Sequence, residues 1–132
     1  MATLKDVERI ALSLPEVSEA AVGHHKARGW QVHDKGFVWE RTWSKADIKR
    51  YGDEPVPDGV IIAIRTEDLE EKAAILAQDI PGFFTIPHFD KFAAYLIQLR
   101  LVKMAALREA ITEAWLAQAP PKLAERFLST RR

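Results

Sequence analysis

One stretch limits the fold of this chain more than any other. Residues 81–101 read Pro-Gly-Phe-Phe-Thr-Ile-Pro-His-Phe-Asp-Lys-Phe-Ala-Ala-Tyr-Leu-Ile-Gln-Leu-Arg-Leu. Tyr95, Ile97, Leu99 and Leu101 alternate with Gln98 and Arg100, the period of two that a half-buried strand requires. Before them comes a Pro-bounded loop carrying Phe83, Phe84, Phe89 and Phe92. A solvated connection does not carry so many aromatic rings, so this loop is expected to pack on the body of the protein. The strand is expected to belong to the sheet that body contains.

The rest of the chain supplies the partners. Thr3 followed by Asp6 resembles a capping box, and Leu4, Val7, Ile10, Ala11 and Leu14 recur at helical spacing until Pro15. Residues 16–23 read as a loop. Residues 27–43 read as a β-hairpin turning at Asp34-Lys35-Gly36, with Gly36 placed for a positive φ. Phe37, Trp39, Arg41 and Trp43 would share one face of it. Ser44 can cap a short helix to Tyr51, ahead of a mixed-charge loop to Asp58. Residues 60–64, Val-Ile-Ile-Ala-Ile, are continuously apolar and suit a strand covered on both faces.

Thr66 is expected to cap the next helix, with Leu69, Ala73 and Leu76 as its buried stripe and Asp68 paired to Lys72. A longer helix over about 104–118 would bury Leu107, Ile111, Ala114 and Trp115, and Pro120-Pro121 would break it. A last helix, 121–129, would dock Ala124, Phe127 and Leu128, with a frayed tail beyond it. The fold class is therefore α+β. One domain over residues 1–128 would hold a small, mainly antiparallel sheet with helices mainly on one face, and residues 129–132 would form a C-terminal tail.

Composition excludes several functions. The 132 residues carry 19 basic and 19 acidic side chains, so any attraction to nucleic acid must come from a local patch. There is no cysteine, which removes disulfides, thiolate nucleophiles and cysteine-bound metals. No run approaches the ~18 apolar residues of a membrane span, and the N-terminus has acids where a signal peptide would be apolar. A cytoplasmic protein without a membrane partner is expected. There is no Ser/His/Asp order and no Gly-rich phosphate loop, and Glu70-Glu71 and Glu109/Glu113 read as solvated helix surface. The expectation is a non-enzyme without a cofactor or metal.

Three segments resemble a known family. The run Asp6-Val7-Glu8-Arg9-Ile10-Ala11-Leu12-Ser13-Leu14-Pro15-Glu16-Val17 resembles the opening of the MmcQ/YjbR-like family. Phe83-Phe84-Thr85-Ile86-Pro87-His88-Phe89 resembles its Phe-Phe-x-x-Pro-His-Tyr signature. Glu113-Ala114-Trp115 followed by Ala119-Pro120-Pro121-Lys122-Leu123 resembles its C-terminal helix and Ala-Pro-Lys close. The resemblance implies a compact α+β fold of the type III secretion chaperone-like class, described as a double wing, with a DNA-binding role and no enzymatic activity. Asp90-Lys91-Phe92 stands where the family often has Arg-Gly-Tyr, and 44–57 is longer and more charged than the usual linker.

Candidate sites follow from chemistry. His88 after Pro87 is either presented to a phosphate or bonded within its own loop. His24, His25, Lys26 and Arg28 form a small basic cluster. Lys35 at the hairpin tip and Arg41 along its strand could meet a phosphate backbone. The nucleic-acid candidates are therefore Lys26, Arg28, Lys35, Arg41, His88 and Lys91. Trp30, Trp39 and Trp43 either stack on bases or fill the core. A small-molecule pocket would be lined by Trp39, Phe84, His88 and Phe89. DNA, a second copy of the chain or another protein are the partners these features allow.

Overall fold

The computed structural model describes residues 1–22 and 26–130. Among them are five helices and one open antiparallel sheet. In chain order these are α1 (Leu4–Leu12), β1 (Val17–Val22), β2 (Ala27–Val32), β3 (Lys35–Glu40), α2 (Lys45–Tyr51), β4 (Ile61–Arg65), α3 (Leu69–Leu76), β5 (Phe83–Phe84), β6 (Ala94–Gln98), α4 (Met104–Gln118) and α5 (Pro121–Thr130). The sheet order is β1-β2-β3-β4-β6-β5, antiparallel throughout. This is the expected α+β class.

The first sheet face holds the larger core. Trp30, Val32, Val38, Ile62, Ile64, Tyr95, Ile97 and Leu99 meet Val7, Ile10 and Ala11 of α1 and Leu107, Ile111, Ala114 and Trp115 of α4. The α1 cap forms as its spacing requires: Asp6 N–H donates to Thr3 Oγ1 at 3.3 Å and Thr3 N–H to Asp6 Oδ2 at 2.9 Å. The Trp115 indole donates to Pro15 O at 3.1 Å, tying α4 to the end of the first helical segment. Burying three large apolar side chains, Leu107, Ile111 and Trp115, at roughly 1.5–3 kcal/mol each, with Ala110 and Ala114 between them, makes α4 a large contributor to stability.

Several expectations fail for identifiable reasons. Residues 17–22 form β1 rather than loop, pairing Val17 with Val32 through Val22 with Ala27. As an edge strand with a mixed burial pattern, β1 carries no clear period-two signal. The β2–β3 turn is two residues long: His33 and Asp34 take φ of 47° and 68°, and Lys35 already pairs with Val32. That is the double positive-φ geometry favoured by tight hairpins.

Gly36 instead lies in strand, where an added Cβ would collide with Val22, while one at Gly29 would come within 2.8 Å of Val22 and 2.6 Å of Trp39 Cβ. The two glycines let the outer ribbon fold close over the sheet. A bulge between Trp30 and Gln31 places Phe37 and Val38 together against Trp30. Phe37 therefore joins the first core, while Trp39, Arg41 and Trp43 stay together on the second face, so the expected shared face forms without Phe37.

The third helix starts later than expected. Asp68 caps it through Glu71 N–H at 2.8 Å, while buried Thr66 donates to Asp68 O at 2.8 Å. Its inward residues are Lys72, Ile75 and Leu76; Leu69 is 47% exposed. In α5, Leu123 is buried and Phe127 packs on Trp115 at 4.9 Å, while Leu128 is exposed. The helix runs through the first part of the expected tail.

Candidate functional site

The second sheet face is covered by a loop and one short helix. Trp39, Ile61, Ala63, Ala94 and Leu96 of the sheet meet Ile86 and Phe89 of the 85–93 loop, with Trp43, Tyr51, Phe84 and Phe92 half-buried around them. The loop makes one 3-10 turn, Pro87–Phe89. Its rings stack on the sheet: Phe92 lies 6.1 Å from Trp39 and 5.4 Å from Phe89. The expectation that the Phe-rich segment packs on the body holds. The following strand is buried on both sides, since Leu96 and Gln98 are covered as well.

Polar groups pin this layer. Lys72 is 6% exposed, and its ammonium donates to Phe89 O and, at 2.9 Å, to Phe92 O. The expected Asp68–Lys72 pair is not made, because Asp68 is occupied as a cap. Burial pushes the Lys72 pKa down, opposed by the charge of Asp90. The Arg65 guanidinium lies 4.9 Å over the Phe92 ring. Trp43 Nε1 donates to Pro57 O at 2.9 Å, and Gln98 Nε2 to Asp58 Oδ1 at 2.8 Å.

The charged centre of the layer is Arg41–Asp47. Their side chains are 7% and 2% exposed and 3.0 Å apart. Ser44 caps α2 onto the same carboxylate, its N–H at 3.0 Å and Oγ at 2.9 Å from Asp47 Oδ2. Arg50, half-exposed, sits 3.5 Å from Oδ1. Burial works to raise the Asp47 pKa, but the Ser44 bonds and the Arg41 charge outweigh it and hold the carboxyl below its usual range. Arg41 also lies 5.6 Å over the Phe89 ring, so one guanidinium joins the loop to α2.

Between α2 and the loop opens a cleft of about 380 Å³, lined by Asp47, Arg50, Tyr51 and Glu54 on one side and Thr85, Ile86, Pro87 and His88 on the other. Tyr51 is half-buried with its ring edge-on to Trp43 at 5.9 Å. Burial first, then the charges of Asp47 and Glu54, raise its pKa, so the phenol stays a neutral donor. The cleft thus offers a guanidinium, an imidazole and two hydroxyls beside two carboxylates. That donor set suits an anionic oxygen ligand, with Ile86 and Pro87 as the apolar part of the wall.

The six nucleic-acid candidates do not form one surface. Arg28 pairs with Glu8 of α1 and with Glu19 at 3.0 Å, on the first-face side. Arg41 is buried against Asp47. Lys26 and Lys35 are exposed at opposite ends of β2. His88 lines the cleft and Lys91 is exposed three residues further along its loop. His24 and His25 lie outside the described residues. Of the pocket candidates, only His88 borders the cleft; Trp39 and Phe89 are buried in the layer beneath and Phe84 packs beside Trp43 at 6.3 Å.

Arg50, Tyr51 and Thr85 escaped the sequence reading. The available signal was the Ser44–Asp47 cap with Arg50 three residues later, which places a second cation on the same carboxylate. Glu109 and Glu113, read as plain solvated surface, border a groove over Tyr95. Among the described residues, no three His, Asp or Glu side chains gather as a metal site, and no helix is long and apolar enough to cross a membrane.

Comparison with known proteins places relatives in mycobacteria. The chain is 41% identical over 132 residues to the uncharacterized protein Rv2570 of Mycobacterium tuberculosis, covering 98% of each chain. The same identity and coverage relate it to the uncharacterized protein Mb2600 of Mycobacterium bovis. No protein-family model matches the chain. No solved structure matches it.

Proposed function

The chain belongs to one family with these mycobacterial proteins; from the geometry of the α2 cleft we propose that it is a weak, sequence-nonspecific DNA-binding domain whose contact face is the rim of that cleft. The observation that carries this reading is the pairing of Arg50 and His88 across one open cleft. Lys45 and Lys49 are exposed one turn apart on the same helix, and Lys91 is exposed in the same loop as His88. Asp47 is already satisfied by Arg41 and Ser44, so it offsets Arg50 only in part. Glu54 in the same cleft and the zero net charge keep the attraction local and weak. The role agrees with the one implied by the MmcQ/YjbR-like resemblance.

Backbone phosphates are held by cations without base reading, so the affinity should fall steeply with salt. Fluorescence anisotropy of a short labelled duplex at low salt should give a Kd on the order of 10⁻⁴–10⁻⁶ M. Lys49→Ala combined with Arg50→Ala should abolish most of the signal, while Lys35→Ala at the far hairpin should change it little. An unchanged anisotropy up to high micromolar protein would end the reading.

A second reading, a protein-interaction module or homodimer, is favoured by β1. This six-residue strand is the outer edge of the sheet and exposes Ser18, Glu19 and Ala21. An uncovered edge can add a strand from another chain. Sedimentation velocity showing a monomer at all concentrations would remove the homodimer.

A further inference from the structure

The α2 cleft carries more hydrogen-bond donors than a passing phosphate backbone can use. Arg50 meets Asp47 Oδ1 only at 3.5 Å and stays half-exposed, so most of its guanidinium fork is uncommitted. The Tyr51 hydroxyl on the same helix makes no hydrogen bond to the described residues. Neither do the Thr85 hydroxyl and the His88 ring nitrogens on the opposite wall. Tyr51 and His88 are positioned through their rings instead, against Trp43 at 5.9 Å and Phe89 at 6.0 Å. Their polar ends are held in place and remain free to donate.

Shape and charge narrow what can use these donors. The cleft is walled on two sides, and its volume of about 380 Å³ lies at the small end of the range for ligand pockets, roughly 300–1,000 Å³. A bridging phosphodiester continues in two directions, so it can only lie across the mouth of such a cleft. A terminal phosphate continues in one direction and can enter. It presents three acceptor oxygens and about −1.5 to −2 charge at pH 7, where the diester has two free oxygens and a single charge. The charges of the cleft leave room for it. Arg41 and Ser44 already occupy the Asp47 carboxylate. Arg50 is then opposed by Glu54, with Lys45 and Lys49 exposed on α2 and Lys91 exposed in the loop of His88.

We propose that the cleft is a phosphomonoester site, taking the terminal phosphate of a strand end or of a small phosphorylated molecule between Arg50 and Tyr51 on one wall and Thr85 and His88 on the other. The proposal rests on the reading of the cleft rim as the DNA-contact face, and it adds the group that is held inside. Arg50 supplies charge and a planar fork that matches two phosphate oxygens. The two hydroxyls and a ring N–H of His88 serve the remaining lone pairs. Ile86 and Pro87 give the first carbon of the ester an apolar contact. The rim can hold a backbone at any position along a strand, whereas the interior holds only an end. Glu54 faces the entering anion and weakens its binding.

The test compares methyl phosphate with dimethyl phosphate, each titrated into the full chain at constant ionic strength and about pH 7.5, where the monoester is mostly a dianion. Amide NMR should show saturable methyl phosphate shifts at Arg50, Tyr51, Thr85 and His88. Dimethyl phosphate should bind at least about tenfold more weakly. Tyr51→Phe keeps the ring on Trp43, and Thr85→Val replaces an exposed side chain by one of the same shape. Each should weaken methyl phosphate about threefold to tenfold at an unaltered thermal midpoint. Glu54→Gln should tighten it about twofold to fivefold. Equal midpoints for the two phosphates, or shifts without saturation, would overturn the proposal, and a duplex that still bound would leave the DNA reading standing. Duplexes of one sequence with phosphorylated or hydroxyl ends separate the sources. A severalfold preference for phosphorylated ends, lost in Tyr51→Phe and Thr85→Val while the hydroxyl-ended duplex binds as before, assigns the site to strand ends. Methyl phosphate bound in the cleft with no such preference assigns it to a small phosphorylated molecule, and no duplex binding at all would in addition remove the DNA reading.

Discussion

The two faces of the sheet are covered by different means. On the first face α1 and α4 lay continuous apolar stripes over β2, β3, β4 and β6, and the closure is almost entirely hydrophobic. On the second face a short helix and a loop lay rings over Trp39, Ala63 and Leu96, and polar groups fix them in place: Arg41 on Asp47, Lys72 on two loop carbonyls, Trp43 on Pro57. A helix satisfies its own backbone and needs only an apolar stripe to be buried. A loop brings unsatisfied carbonyls with it, and these must be bonded before the loop can lie down. The first face is therefore the stability reserve and the second is the site that single polar changes can open.

The largest effect should come from the first face. Trp115 is fully buried, packs against the tilted ring of Phe127 and donates to Pro15 O. Trp115→Ala leaves a cavity at the α1–α4 contact and should cost about 3–5 kcal/mol in urea or thermal unfolding. That is a large share of a domain's typical total. A cost below about 2 kcal/mol would mean that the helix layer is not the main reserve, and the comparison would fail.

The next effect separates charge from packing on the second face. Asp47→Ala strands Arg41 beneath the loop and removes the carboxylate half of the α2 capping box, while Ser44 Oγ still accepts from the residue 47 N–H. Breaking a sealed buried pair costs about 3–5 kcal/mol, but half-exposed Arg50 keeps water close to Asp47, so about 2–3 kcal/mol is expected. The pH dependence carries a sign. The Asp47 pKa is depressed in the folded chain, so its contribution is complete above the ordinary carboxylate value of about 3.9 and is lost as pH falls through the lower folded value. Asp6 titrates in the same direction, held down first by its bond to the Thr3 backbone. Denaturant midpoints of wild type and Asp47→Asn, compared at neutral and at acid pH, isolate the Asp47 part. The gap between them should close below about pH 4; a constant gap would show that the pair contributes packing alone.

The same contrast explains what could be read from the residues. α1, α4 and the β4 and β6 strands announce themselves because each buries a stripe with its own period: Val7, Ile10 and Ala11; Leu107, Ile111, Ala114 and Trp115; and the apolar runs at 61–64 and 94–97. β1 was hidden because an edge strand need not alternate. Gly36 was misplaced because a glycine that makes room for Val22 looks, in one sequence, the same as one that turns. The extra residue is Phe37, opposite the Trp30–Gln31 step, and it shifts the alternation of β3 at that point, where no periodicity marks its entry. The site residues were least legible. Arg41 and Lys72 have the composition of surface cations, and only their three-dimensional partners show them to be internal struts. Glu109 and Glu113 occupy i and i+4 on a solvated-looking helix face, and the groove beside them comes from α3 and β6, far away in sequence.

The smallest effect is also the sharpest test of the loop. Lys72→Met keeps the length and bulk of the side chain and removes its charge. Both carbonyls keep a partner, since Phe89 O also accepts from Phe92 N–H at 2.9 Å and Phe92 O from Ala94 N–H at 2.8 Å. The loss is the two ammonium bonds that tie the loop to α3, and the relief of a buried ammonium offsets part of it. A net destabilisation of only about 1 kcal/mol is expected, too small to assign a mechanism by unfolding alone. Hydrogen exchange resolves it by place. Local opening follows the bonds that close a segment, so amides of the 86–94 loop should exchange about fivefold faster in Lys72→Met while those of α1 and α4 stay as they were. If protection instead fell evenly over the whole chain, Lys72 would belong to the common core, and the loop could not be treated as a separately held cover. If nothing changed, the rings of Phe89 and Phe92 would be sufficient by themselves, and the second face would close by the same hydrophobic means as the first.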